Sequence, residues 1–136
     1  MKKLAILSTV ALLASGSALM AAGELMTNIP TSSLTVTNWY KQSIYDPSNS
    51  TIGKIDDVLV SSDGRVEALI VGVGGFLGVG EKDVAVSFSA VRKTIKDNKI
   101  YLTMNTTKDA LKAAPGFKYD SQSTSWVPDK SSKATQ

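Results

Sequence analysis

The chain has 136 residues, 15 basic and 12 acidic, and contains neither His nor Cys. That length bounds it to one domain. Without His or Cys, no Ser–His or Cys–His nucleophile can be built, no disulfide can staple the fold, and no Cys can carry a lipid.

Residues 1–23 read as a secretory signal peptide. Lys2 and Lys3 form a basic start, residues 4–13 (LAILSTVALL) an apolar stretch, and residues 14–23 are rich in Ala, Ser and Gly. The competing reading is an uncleaved anchor, because residues 4–23 carry no charge and have the length to cross a bilayer. Removing Lys2 and Lys3 leaves 13 basic against 12 acidic residues, a net charge of +1. The remainder is close to neutral and gives no electrostatic case for nucleic acid. The expected location is periplasmic or secreted, with membrane association only if the first segment is kept.

Residues 24–37 read as a linker. Residues 39–46 (WYKQSIYD) mix aromatic and β-branched side chains and predict a first strand. Asp46-Pro47-Ser48-Asn49-Ser50 is a turn cluster. Residues 51–61 predict a second strand, in which Gly53 suggests a bulge or the close approach of another segment. The apolar register slips between Ile52 and Val58, which also fits a bulge. Asp63-Gly64 predicts a tight hairpin turn. Residues 66–73 return as a third strand whose nearly continuous apolar character implies burial on both faces.

A Gly-rich bend follows, from Gly72 to Gly80. Residues 82–88 alternate, with Val84, Val86 and Phe88 on one side. Residues 91–95 continue or bend away, Asp97-Asn98-Lys99 turns, and Ile100, Leu102 and Met104 mark a last core strand. Thr106 or Thr107 caps a helix of one or two turns with Asp109 in its first turn and Leu111 buried; Pro115-Gly116 ends it. Residues 120–136 read as a polar tail that Trp126 and Val127 tack onto the domain.

Four elements in this run resemble the PRC-barrel domain family, named for the photosynthetic reaction-centre H subunit. They are Ile52-Gly53-Lys54-Ile55-Asp56-Asp57-Val58, the Asp63-Gly64 turn, Val71-Gly72-Val73-Gly74-Gly75-Phe76-Leu77-Gly78, and Lys82-Asp83-Val84-Ala85-Val86. The resemblance covers residues 38–119. Two departures are visible: Ser87 stands where such domains often carry Pro, and Gln42-Ser43 where many have Gly followed by Lys or Arg. The resemblance implies a mainly all-β fold, a small β-barrel with one short C-terminal helix, used for binding and assembly rather than for a shared chemistry.

The bend does not suit nucleotide phosphates. Leu77 stands where G-x-G-x-x-G needs its third Gly, and Glu81 where a Walker loop needs Lys. Asp56 and Asp57 are adjacent, so on a strand they face opposite ways and cannot easily share one metal; weak divalent-cation contact is the functional alternative to two solvent-facing carboxylates. Arg92, Lys93, Lys96 and Lys99 read as a solvated face. No catalytic, cofactor-binding or metal-ligating residue is assigned.

The function expected is a non-enzymatic interaction module that binds an envelope protein or another copy of itself. Partner contact is assigned to Phe76, Leu77 and Val79 of the bend and to the neighbouring Glu81 and Lys82. A small-ligand or cation carrier is one alternative. An accessory to a photosynthetic electron-transfer complex, by family kinship, is another.

Overall fold

The computed structural model describes residues 25–75 and 80–132. The expected signal peptide and the tip of the Gly-rich bend lie outside the described residues. Residues 25–33 belong to a separate unit. They are exposed, and the Ser33 amide donates to the Pro30 carbonyl at 3.0 Å in a single turn.

From residue 34 onward the chain builds one sheet. Its strands are β1 (Ser43–Tyr45), β2 (Thr51–Val60), β3 (Val66–Val73), β4 (Lys82–Ser87), β5 (Val91–Lys96), β6 (Lys99–Met104), β7 (Gly116–Asp120) and β8 (Ser125–Pro128), with one helix, α1 (Lys108–Ala113), between β6 and β7. Their spatial order is β5-β6-β1-β2-β3-β4-β7-β8. All neighbours are antiparallel except β1 and β6, which run parallel. This is the small, mainly β, barrel-like fold expected from the sequence.

Period-two alternation places Leu69, Val71 and Val73 of β3, Val84 and Val86 of β4 and Leu102 of β6 in one core with Trp39, Ile44, Val91 and Leu111. Ile52 and Ile55 of β2, three positions apart, both join it because the β1–β2 register shifts at Ile52. Among the described residues every buried side chain is apolar. β3 is buried on both faces, as its continuous apolar run implies. Ile70 points away from that core, in register with Asp57 on β2 and Ala85 on β4, and has no exposed surface. It is covered on the side where the β7–β8 hairpin brings Trp126 onto Asp57.

The turns follow local chemistry. Asp46 Oδ1 accepts from the Ser48 amide at 2.9 Å, the Ser48 hydroxyl at 2.7 Å and the Ser50 amide at 2.9 Å, which fixes the β1–β2 connection. Asp97 and Asn98 both adopt positive φ, 51° and 59°, so β5 and β6 join through a two-residue turn. The Asp63-Gly64 connection is longer than the tight turn expected. The Ser61 amide donates to the Arg65 carbonyl at 2.8 Å, and only Gly64, at φ 84°, is left-handed. The bulge expected in β2 is present as register shifts between Ile55 and Asp57 and between Leu59 and Val60. Gly53 is a close approach: a Cβ there would lie 2.5 Å from Val71 Cγ1.

Three further expectations are corrected. The first strand is Ser43–Tyr45 only, because Trp39 follows a short 3-10 turn, Val36–Asn38, and packs inward. Phe88 leaves β4 for a 3-10 turn, Phe88–Ala90, and its ring sits 4.6 Å from that of Trp39. Ser87, just before it, has φ −61°, a value that also suits Pro, so the departure at that position costs the fold nothing. Finally, residues 125–128, inside the expected tail, form β8. That strand pairs with β7 from Phe117↔Pro128 to Asp120↔Ser125.

α1 packs against β2, β3 and β4 through Leu111. Thr107 is its cap: the side-chain Oγ1 accepts from the Ala110 amide at 3.1 Å. Asp109 lies in its first turn, on the side the helix dipole favours for a negative charge.

Candidate functional site: a carboxylate cluster over Gly72

β3 has no side chain at Gly72, on its outer face, where it pairs with Lys54 of β2 and Asp83 of β4. That gap is occupied by carboxylates. A Cβ on Gly72 would run into the side chains of Glu81 and Asp56. Asp56 falls within the register shift between Ile55 and Asp57, which leaves it on the outer face, over Gly72. Glu81 immediately precedes β4, and Asp83 is its second residue, two positions away and so on the same face. The three side chains each offer an oxygen, all within 4.8 Å of one another. Asp56 and Asp83 are half-buried, and Glu81 is exposed.

Crowding three carboxylates at one point raises the cost of ionising them. Asp83 is pushed up to about 6 from its ordinary 3.8, first by loss of water around it, then by the charges of Asp56 and Glu81. Glu81 is also raised, by desolvation first and Asp56 second. Lys41 offers compensation. Its ammonium lies 2.9 Å from Asp56 Oδ1, and that hydrogen bond raises the Lys41 pKa. Lys54 also acts on Glu81, so two ammonium groups stand against three carboxylates and the cluster remains short of positive charge. Its chemistry is therefore to hold a proton on Asp83 near pH 6, and these oxygens are the described groups that could share a hard divalent cation.

The adjacent acids do not face opposite ways, as simple strand alternation predicts. The register shift between Ile55 and Asp57 leaves both on the outer face, Asp56 over Gly72 and Asp57 beside Ile70, where they take different partners. Asp57 Oδ2 accepts from Trp126 Nε1 at 2.7 Å, and its Oδ1 accepts from the Val58 amide at 2.8 Å. Asp57 thus anchors the last hairpin, while Asp56 joins a cluster that pairwise reading of Asp56-Asp57 missed. The signal for that cluster was present in Glu81-x-Asp83, an alternate pair of acids at a strand start.

Of the residues assigned to partner contact, Phe76, Leu77 and Val79 lie outside the described residues. Glu81 is the exposed member of the cluster. Lys82 is occupied internally: its Nζ donates to the Lys112 carbonyl at 2.8 Å, at the C-terminal end of α1. The structure brings Glu81 together with Asp56 and Asp83, and sends Lys82 to the helix instead.

The model of the PRC-barrel domain matches residues 33–111, more than half of the chain. The chain belongs to the PRC-barrel domain family. Its PRC-barrel region holds all three clustered carboxylates and Lys41, and ends at the buried Leu111 of α1. The β7–β8 hairpin follows beyond that region. Among curated proteins none matches the chain.

Proposed function

We propose that this PRC-barrel chain is a non-enzymatic interaction and assembly module, exported to the periplasm or beyond, that binds an envelope protein or another copy of itself. The observation that carries this reading is the filled interior. Ile44, Ile52, Ile55, Leu69, Val71, Val73, Val84 and Leu102 retain at most 1% of their surface, and they occupy the space a ligand would need. Recognition then falls to the outer faces, loops and strand edges. The test is site-specific photo-crosslinking in intact cells, with the probe placed in turn on exposed outer positions such as Glu81 and Tyr119. Discrete adducts from at least one position are expected. A chain that yields no adduct from any outer position is not such a module.

A cation carrier is the second reading, favoured by the cluster of Asp56, Glu81 and Asp83. It requires the melting temperature to rise with added Ca²⁺ or Mg²⁺, by mass action on the folded state. A melting temperature that stays flat up to millimolar concentrations of both ions removes it.

A further inference from the structure

The sheet ends on one side at β5, which pairs only with β6, so its outer backbone edge carries no partner among the described residues. The opposite end, β8, is a poorer template. It has four residues and finishes on Pro128, which has no amide hydrogen to offer. β5 has six residues, reaches about 20 Å, and contains no Gly or Pro.

Its side chains are divided by face. Arg92, Thr94 and Lys96 lie on the outer face with Lys99, Tyr101 and Thr103 of β6, to which they are registered. Val91, Lys93 and Ile95 lie on the core face. Val91 is buried, but Ile95 is 65% exposed, so the apolar stripe runs past the body of the domain. Arg92, Lys96 and Lys99 are exposed and take part in neither of the ion pairs among the described residues. The one acid in the hairpin, Asp97, sits in the turn. An edge of this kind repels its own copy. Two antiparallel registers pair five of the six β5 residues and keep the faces matched. One sets Arg92 opposite Lys96 of the second copy, the other sets Lys93 opposite Lys93, and like charges directly opposed are destabilising.

The geometry points to β5 as a docking edge for an extended acidic segment of a partner protein, added to the sheet as a further strand beside β5. Acidic side chains at alternate positions meet Arg92 and Lys96. The intervening apolar side chains lie beside Ile95, and main-chain hydrogen bonds supply the common part of the affinity. This rests on the interaction-module reading and gives it a surface and a partner chemistry.

The experiment measures fluorescence anisotropy of labelled seven-residue peptides against the full chain. An alternating Glu/Val peptide binds, and its Lys/Val counterpart does not. Raising the salt weakens the binding. Two further Glu/Val peptides carry N-methyl groups on odd or on even residues. One of them loses about tenfold or more in affinity and the other keeps it, because only every second amide of an added strand faces β5. The double variant Arg92→Glu with Lys96→Glu inverts the charge preference of the two peptides; both sites are exposed, and a thermal melt checks that the variant folds.

The proposal is overturned if the Glu/Val peptide fails to bind, or if both methylated peptides bind equally. It is also overturned if vesicles of anionic phosphatidylglycerol bind as tightly as the peptide, which would make the face a charged surface alone. Crosslinks from other outer positions in cells would survive any of these failures, so the edge can fail while the interaction module stands.

Discussion

Replacing Asp83 with Asn tests the carboxylate cluster through the pH dependence of folding. In the folded chain Asp83 keeps its proton up to about 6, whereas an ordinary carboxyl loses it near 3.8. Between those values the folded state binds more protons than the unfolded state, so stability falls as pH rises through the window. Above it the penalty for an ionised Asp83 is complete. Taken without screening, the gap corresponds to about 3 kcal/mol. Asp83 is only half-buried, and water screens its neighbours, which reduces the figure to about 1 kcal/mol. Asn cannot ionise. Urea unfolding should therefore find Asp83→Asn close to wild type at pH 4 and about 1 kcal/mol more stable than wild type at pH 8. Glu81 titrates in both proteins, so the difference between them isolates Asp83. A variant whose advantage fails to grow with pH, or reverses, would mean that the ionised carboxylate is favourably held, and the account of the cluster would be wrong.

Asp56→Asn removes the nearest charge acting on both remaining carboxylates and frees the Lys41 ammonium. Titration of the Asp83 carboxyl carbon by NMR should then move down from about 6 towards 3.8; an unchanged or higher value refutes the coupling. Trp126→Phe deletes the indole donor to the half-buried Asp57 and should cost about 1–2 kcal/mol in urea unfolding. In an Asp57→Ala background, which removes the acceptor, that loss should shrink, and equal losses in both backgrounds would show that the contact contributes nothing.

The legible parts of the fold are those decided by neighbours in sequence. β3 matches its expected limits at Val66 and Val73, and β2 ends one residue early, because alternation and flanking turn residues act locally. The Thr107 cap and the Asp97-Asn98 turn are likewise carried by a few adjacent residues. β8 was hidden for the opposite reason. Residues 121–136 are Ser- and Lys-rich with Trp126 and Val127 as their large apolar side chains, so composition suggests a tail. The strand exists because β7 offers an edge and Asp57, 69 residues earlier, receives its indole. The cluster was hidden in the same way. Asp56 and Glu81 look unrelated until β2, β3 and β4 are laid side by side and Gly72 leaves the gap between them. Trp39 and Phe88 are a third case: both looked like strand residues, but their ring contact joins two 3-10 turns.

The parallel pairing of β1 with β6 sets Ile44 beside Leu102, 58 positions along the chain. The β2–β3–β4 meander can zip up from contacts between consecutive strands, but this seam requires the closure of a long loop before any reward arrives. The two ends of the matched region therefore meet late, and until they do, the flank of β1 that β6 will occupy stays open. A nascent chain that stops short of β6 would hold an assembled centre and an unfinished seam, which makes the emergence of β6 the event that locks the sheet.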